Sequence, residues 1–278
     1  MQHVLRFFVT ICIIFLGLYL IKWRVIAKNA NVSILLVTAI PPSSCKGPHG
    51  DFVNIQSIKN KLQYCQMKGF SFHFNMFKVD PLLTGAWNKI ALLLYILENN
   101  LNYDWILWFD IDTLILDMNF DIPFHDYISY DLILYGDHYK LYNETDSLLG
   151  INSGVMFIRN NEWSRNLMKQ VLDLGKYGEE KMKSTLKNYR RHLVDQNAFA
   201  TLLHEDITFR RRVFFEQKFG INYYWEEAKK LQEWRPFVLH FAGCEFCDGI
   251  YKQEKEKCFP YWNKYFPNST EHFSKGLI

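Results

Sequence analysis

The sequence predicts an α/β domain with a Rossmann-like opening and a mostly parallel central sheet. Three observations carry this. The run Trp105-Ile106-Leu107-Trp108-Phe109 is hydrophobic on both alternating faces, the habit of a strand covered by helices on either side. Ahead of it, apolar runs alternate with segments of helical spacing in the order strand, helix, strand, helix, strand. The composition supplies a core: 49% of the 278 residues are hydrophobic and 17% aromatic, which excludes a disordered chain.

Taken in order, Ser33 to Thr38 reads as a first buried strand, closed by Pro41-Pro42. Asp51 is placed to cap a helix whose apolar positions Phe52, Ile55, Ile58, Leu62 and Cys65 keep helical spacing. Phe70 to Phe77 reads as a second strand, and Ala86 to Glu98 as a second helix carrying Lys89 near its start. The central strand follows. Beyond it, Asp131 to Tyr135 and Gly154 to Ile158 read as strands and Glu162 to Leu174 as a helix. Lys176 to Arg191 is a polar helix or linker. Asp195 opens an amphipathic helix to His204 as a plausible cap, and Phe237 to Phe241 is one more short strand. The aromatic tail after Cys258 reads as peripheral.

Phe7 to Ile21 contains no charge and is followed by Lys22, Trp23 and Arg24. With Val4 and Leu5 it can just cross a bilayer if its flanks snorkel to the interface, and we read it as an uncleaved transmembrane anchor rather than a cleaved signal peptide. Residues 1–30 then form tail, anchor and stem, and 31–278 one lumenal catalytic domain. Outside the anchor five cysteines remain, Cys45, Cys65, Cys244, Cys247 and Cys258. Cys244-x-x-Cys247 lacks a second pair of zinc spacing, so structural disulfides in an oxidising lumen are the better reading, with one thiol left over. Sequons at Asn31, Asn143 and Asn268 fit a secretory compartment. The net charge of +3 and the short clusters Arg190-Arg191 and Arg210-Arg211-Arg212 give no stripe for nucleic acid; they read as solvated faces.

The chemistry converges on Asp110-Ile111-Asp112. On a strand, side chains two apart point the same way, and ligands of open α/β sheets bind beyond the strands' carboxyl ends. Two hard oxygen ligands there suit Mg²⁺ or Mn²⁺ neutralising a phosphate.

Several separated segments then fall into one pattern. They are Ser57-Ile58-Lys59-Asn60-Lys61 with Tyr64-Cys65, Gly85-Ala86-Trp87-Asn88-Lys89, Trp108-Phe109-Asp110-Ile111-Asp112, and Gly150-Ile151-Asn152-Ser153-Gly154 with Arg159-Asn160 and Trp163-Ser164. Asp195-Gln196 and Pro236 to Cys247 complete the series. In this order they resemble glycosyltransferase family 34, which joins fungal α-galactosyl and α-mannosyltransferases to plant xyloglucan xylosyltransferases. The resemblance covers roughly Ser33 to Cys258. It implies a GT-A fold, a single-pass type II Golgi membrane protein and a UDP- or GDP-sugar donor. It also implies a glycan acceptor, Mn²⁺ (with Mg²⁺ as the alternative), transfer with retention, and membership of glycosyltransferase complexes. By position it assigns Asp110, Asp112 and His240 to the metal, and Asp195 and Gln196 to the anomeric carbon. Asn152, Ser153 and Gly154 fall along the donor sugar or acceptor, and Thr38, Lys89 and Gly243 on the donor side. Plant members carry a further acidic residue where this chain has Val194, and a lysine where it has Glu245.

Two other classes are open to the same residues. Phe109-Asp110-Ile111-Asp112-Thr113 also fits the first motif of haloacid-dehalogenase phosphatases, with Asp110 as nucleophile and Mg²⁺. A lumenal binding module that keeps the fold without turnover is the second. Whether His240 joins the aspartates discriminates the first of these.

Overall fold

The computed structural model describes residues 32–47, 49–83, 85–142, 150–186, 193–230, 235–247 and 258–270. The chain divides into two units, Met1–Ser33 and Ile34–Ile278, and nearly all described residues fall in the second. No described helix is long and apolar enough to cross a membrane. The expected anchor, Phe7 to Ile21, lies outside the described residues, as do Asn31, Asn143, Arg190-Arg191 and the side chain of Asn268.

The βαβαβ opening forms as expected. It runs β1 (Ile34–Ala39), α1 (Gly50–Lys68), β2 (Ser71–Asn75), α2 (Ala86–Asn99) and β3 (Trp105–Phe109). The chain continues through β4 (Thr113–Ile115), β5 (Leu132–Gly136), α3 (His138–Tyr142), β6 (Ile151–Arg159), α4 (Glu162–Tyr177), α5 (Glu179–Thr185), α6 (Asp195–Glu205), α7 (Ile207–Arg210), β7 (Val213–Phe215), β8 (Tyr223–Tyr224), β9 (Val238–His240) and α8 (Cys258–Thr270). The main sheet has strand order β2-β1-β3-β6-β5-β7. Its β1–β2, β1–β3 and β5–β7 pairs are parallel, whereas β6 runs antiparallel to both neighbours. Every residue of β3 is buried, because it lies between β1 and β6 with apolar clusters on both faces. A second sheet, β4-β9-β8, is assembled from short strands far apart in sequence.

Four local expectations are corrected. First, Phe52, Ile55 and Leu62 of α1 are exposed, and the buried face carries Asn54, Ser57, Asn60, Lys61 and Tyr64 instead. Of these, Ser57, Asn60 and Lys61 serve β4, an edge strand whose backbone would otherwise be unsatisfied. Asn60 donates to Ile115 O (2.9 Å) and accepts from Ile115 N (2.8 Å), while Lys61 Nζ donates to Thr113 O (2.8 Å). Asp51 does not cap α1; His49 holds that position, and Asp51 accepts from Cys45 N. Second, Asp195 is not a cap either. Val194 is the N-cap residue, and its N–H donates to Asn197 Oδ1.

Third, the tail is not peripheral. Trp262 of α8 is wholly buried among Val53, Phe241 and Cys258, and its Nε1–H donates to Gln56 Oε1 (2.7 Å). Fourth, the arginines around 211 are not merely solvated. Arg210 donates to the carbonyls of Leu203 and His204 at the end of α6, and Arg212 pairs with buried Asp131. The cysteines form Cys45–Cys247 and Cys244–Cys258, which excludes a zinc site at Cys244-x-x-Cys247, and leave Cys65 as a buried thiol.

Candidate active site

A cavity of about 780 Å³ opens beyond the carboxyl ends of β1, β2 and β3. Asp110, Asp112, Asn152, Ser153, Gly154, Asp195, Gln196, His240, Gly243 and Lys89 all line it. Thr38 does not: it is fully buried one residue behind Ala39, and its hydroxyl has no hydrogen-bond partner.

The Asp-x-Asp segment is a turn rather than a continuation of the strand. β3 ends at Phe109, and Thr113 returns its N–H (3.2 Å) and hydroxyl (2.7 Å) to Asp110 O. The two carboxylates therefore converge through a tight loop, not through strand alternation. The indole of Trp108 donates to Asp110 Oδ1 at 2.6 Å. Across the turn, β9 pairs antiparallel with β4, which sets Thr113 opposite His240. His240 Nε2 lies 3.3 Å from Asp112 Oδ1. One ligand atom from each of Asp110, Asp112 and His240 falls within 4.8 Å of the others. Two carboxylates and one imidazole are a donor set that suits Mn²⁺ or Mg²⁺ with positions left for phosphate oxygens.

The charges are strongly coupled. Burial opposes the His240 imidazolium, but Asp112, through charge and hydrogen bond, and Asp110 outweigh it and hold its pKa above the usual 6.5. Burial raises Asp110 against the opposing pull of Lys89. Asp112 is lowered, since His240 overcomes the cost of its burial. Behind the turn, burial pushes the Lys61 ammonium down to about 7 despite the attraction of Asp112 and Asp110.

Lys89 joins this cluster to a second one. Its ammonium lies 2.7 Å from Asp195 Oδ2 and 3.6 Å from Asp110 Oδ1, and the Ser153 hydroxyl also donates to Asp195 Oδ2 (2.8 Å). Ser153 reaches Asp195 because the β5–β6 register slips between Leu134 opposite Met156 and Tyr135 opposite Asn152. Residues 153–155 thereby leave the pairing with β5, as strands at active sites often do. Gly154 is held close: its carbonyl accepts from Asp110 N (2.7 Å), and a Cβ there would lie 2.7 Å from His240 Nδ1.

At the cavity's other wall, Gly243 takes φ 81° and Glu245 takes φ 45°, a conformation uncommon for a side-chain-bearing residue. Two residues that sequence reasoning did not single out matter here. Asn222 contacts His240 from a loop whose composition carries no signal, and Trp108, quoted in the Asp-x-Asp segment, was given no role of its own. Lys61, quoted within a motif but given no role, sits under the Asp-x-Asp turn. The approach of His240 to the aspartates, on a motif borne by the third strand rather than the first, removes the basis for the haloacid-dehalogenase reading.

Residues 30–250 match the model of the galactosyl transferase GMA12/MNN10 family. The chain is 30% identical over 252 residues to a probable xyloglucan 6-xylosyltransferase 3 of Arabidopsis thaliana, covering 83% of this chain and 55% of that one. It is 31% identical over 243 residues to a probable glycosyltransferase 5 of Oryza sativa subsp. japonica, covering 80% and 53%. It thus spans about half the length of the curated relatives it matches. Among solved structures, a glycosyltransferase involved in glycosylation of the major capsid of PBCV-1 superposes with TM-score 0.56 at 14% identity, covering 84% of this chain and 99% of that one. The glycosyltransferase GlyE of Streptococcus pneumoniae TIGR4 gives 0.50 at 14% identity, covering 88% and 64%. The fold is therefore of the GT-A glycosyltransferase type.

Proposed function

Because the chain belongs to the galactosyl transferase GMA12/MNN10 family, we propose that it transfers a sugar from a nucleotide-sugar donor to a glycan acceptor with retention, forming an α-linkage. The sugar is a galactosyl, mannosyl or xylosyl unit; the named Arabidopsis relative is the reason for keeping xylose. We further propose a Mn²⁺-dependent, lumenal catalytic domain of a single-pass type II Golgi protein, for which the two disulfides are the support at hand. Working within a glycosyltransferase complex belongs to the same proposal.

The observation that carries this reading is the meeting of Asp110, Asp112 and His240 beside a buried Asp195 in one cavity. Those three residues would hold the divalent ion, which supplies charge stabilisation to the departing nucleoside diphosphate. Asp195 faces the cavity from the first turn of α6. Its carboxylate is oriented by Lys89 and Ser153, so it can stabilise positive charge at an anomeric carbon or attack it. Lys89, shared between Asp195 and Asp110, keeps the two carboxylates from repelling one another. The buried walls behind Lys89, among them Leu92 and Trp108, limit water at this end of the cavity.

The test is hydrolysis of a panel of UDP- and GDP-sugars by a soluble form starting near Lys28, with Mn²⁺ and with chelator, beside Asp112→Asn and His240→Ala. One donor turned over only with metal, and lost in both variants, is the expected result. Donor binding without turnover favours the binding-module reading. No metal-dependent donor binding at all would overturn the transferase assignment.

A further inference from the structure

Hydrogen-bond direction runs one way along a chain of groups beside the metal-ligand cluster. It starts at the backbone N–H of Gly154, which can only donate, and donates to Asn152 Oδ1 (2.8 Å). That contact fixes the Asn152 amide with its oxygen toward the chain. Asn222 must then approach with its nitrogen, and Asn222 Nδ2 donates to the same Asn152 Oδ1 at 2.7 Å and to Asn152 O at 3.2 Å. The Asn222 oxygen is thereby turned the other way, onto His240 Nδ1 at 2.7 Å. An amide oxygen only accepts, so Nδ1 must carry the proton.

We propose that Asn222 is a positioning residue that fixes His240 as the Nδ1–H tautomer, so that Nε2 presents its lone pair to a divalent cation. The proposal rests on the metal reading of Asp110, Asp112 and His240. It goes beyond that reading by assigning the group that makes the imidazole a ready ligand. Metal-binding histidines commonly donate their other ring N–H to such a partner. Free imidazole side chains prefer the opposite tautomer, with Nε2 protonated, so the relay reverses the default. It also spans the two sheets: Asn152 and Gly154 belong to β6, Asn222 precedes β8, and His240 ends β9. Asn222 and Asn152 flipped together would set two N–H groups, on Asn152 and Gly154, against each other.

The experiment reads the tautomer and the metal separately. Asp112 Oδ1, 3.3 Å from Nε2, is a rival acceptor in the metal-free site, so nitrogen NMR of ¹⁵N-histidine-labelled, metal-free Asp112→Ala protein at alkaline pH should show His240 Nδ1 at a protonated and Nε2 at an unprotonated shift. Asn222→Leu should shift the ring toward the Nε2–H form and weaken Mn²⁺ binding, followed by manganese EPR, about 10- to 100-fold. Asn222→Asp keeps an acceptor at Nδ1 and should hold the tautomer. An Nε2–H ring in the Asp112→Ala protein overturns the proposal, as does an Asn222→Leu substitution in that background that leaves the tautomer unchanged. Unchanged Mn²⁺ affinity in Asn222→Leu alone overturns it too. The metal reading fails separately if His240→Ala leaves Mn²⁺ affinity intact, and the proposal falls with it.

Discussion

Lys89 and Asp195 form an ion pair at 2.7 Å in which both side chains are almost fully buried. The pair joins α2 to α6, and Lys89 reaches on to Asp110. Removing one member of a buried pair leaves the other charge uncompensated, at a cost of roughly 3–5 kcal/mol. Lys89→Met should therefore destabilise the protein by about that amount in urea unfolding, and abolish turnover. Asp195→Asn in the same chain should recover a large part of the stability without the activity. A double-mutant cycle with no coupling between the two would refute the pairing.

Gly154 sits between both sides of the proposed metal site: its carbonyl accepts from Asp110 N, and a Cβ there would run into the His240 ring. Gly154→Ala is expected to weaken Mn²⁺ affinity and to cost about 1–3 kcal/mol through overpacking. Isothermal titration with Mn²⁺ and thermal unfolding check the two effects. Unchanged metal affinity in a folded variant would contradict the close approach.

Metal binding should strengthen as pH rises. The folded-state pKa of His240 lies above its usual 6.5, so the stability contributed by the protonated ring with Asp112 is present below pH 6.5 and lost as pH rises through that raised pKa. A cation at Nε2 must displace the same proton, and it disfavours the charged form of Lys61, which already titrates near 7. Both effects carry the same sign. The Mn²⁺-induced increase in Tm should be larger at pH 8 than at pH 6, and apparent affinity should rise by up to about tenfold per pH unit for each proton released. A flat response between those values would contradict ligation by His240.

Trp262→Ala should cost about 3–5 kcal/mol, since it empties a fully buried indole site against Phe241 and Val53. Chemical denaturation measures it. A loss below 1 kcal/mol would return the tail to the periphery.

Much of this was legible before any coordinates. The central strand announces itself because β3 is apolar on both faces, and the βα alternation around it follows from period. The meeting of Asp110, Asp112 and His240 beside Asp195 was reachable through a run of short motifs, none of which specifies a site alone. What escaped did so for physical reasons. The helix spanning Phe52 to Leu62 presents a regular apolar stripe, yet that stripe faces out. Its polar side was needed to satisfy an edge strand that sequence cannot see. β4 and β8 are too short to show a period, so the second sheet, and with it Asn222, stayed invisible. The pairing of Asp195 with Lys89 crosses 106 residues of chain, and helix-capping statistics point to the wrong use of that aspartate.

Cys45 and Cys247 are 202 residues apart in sequence, yet their bridge joins the segment after β1 to the segment after β9 at the cavity wall. Of the three residues proposed to hold the metal, Asp110 and Asp112 are synthesised well before the third, His240. A chain emerging from the ribosome therefore has no complete site, and no covalent closure of it, until nearly all of the domain has been made. A premature stop between residues 112 and 247 yields a polypeptide that carries the Asp110 and Asp112 signature but cannot lock the wall that faces it.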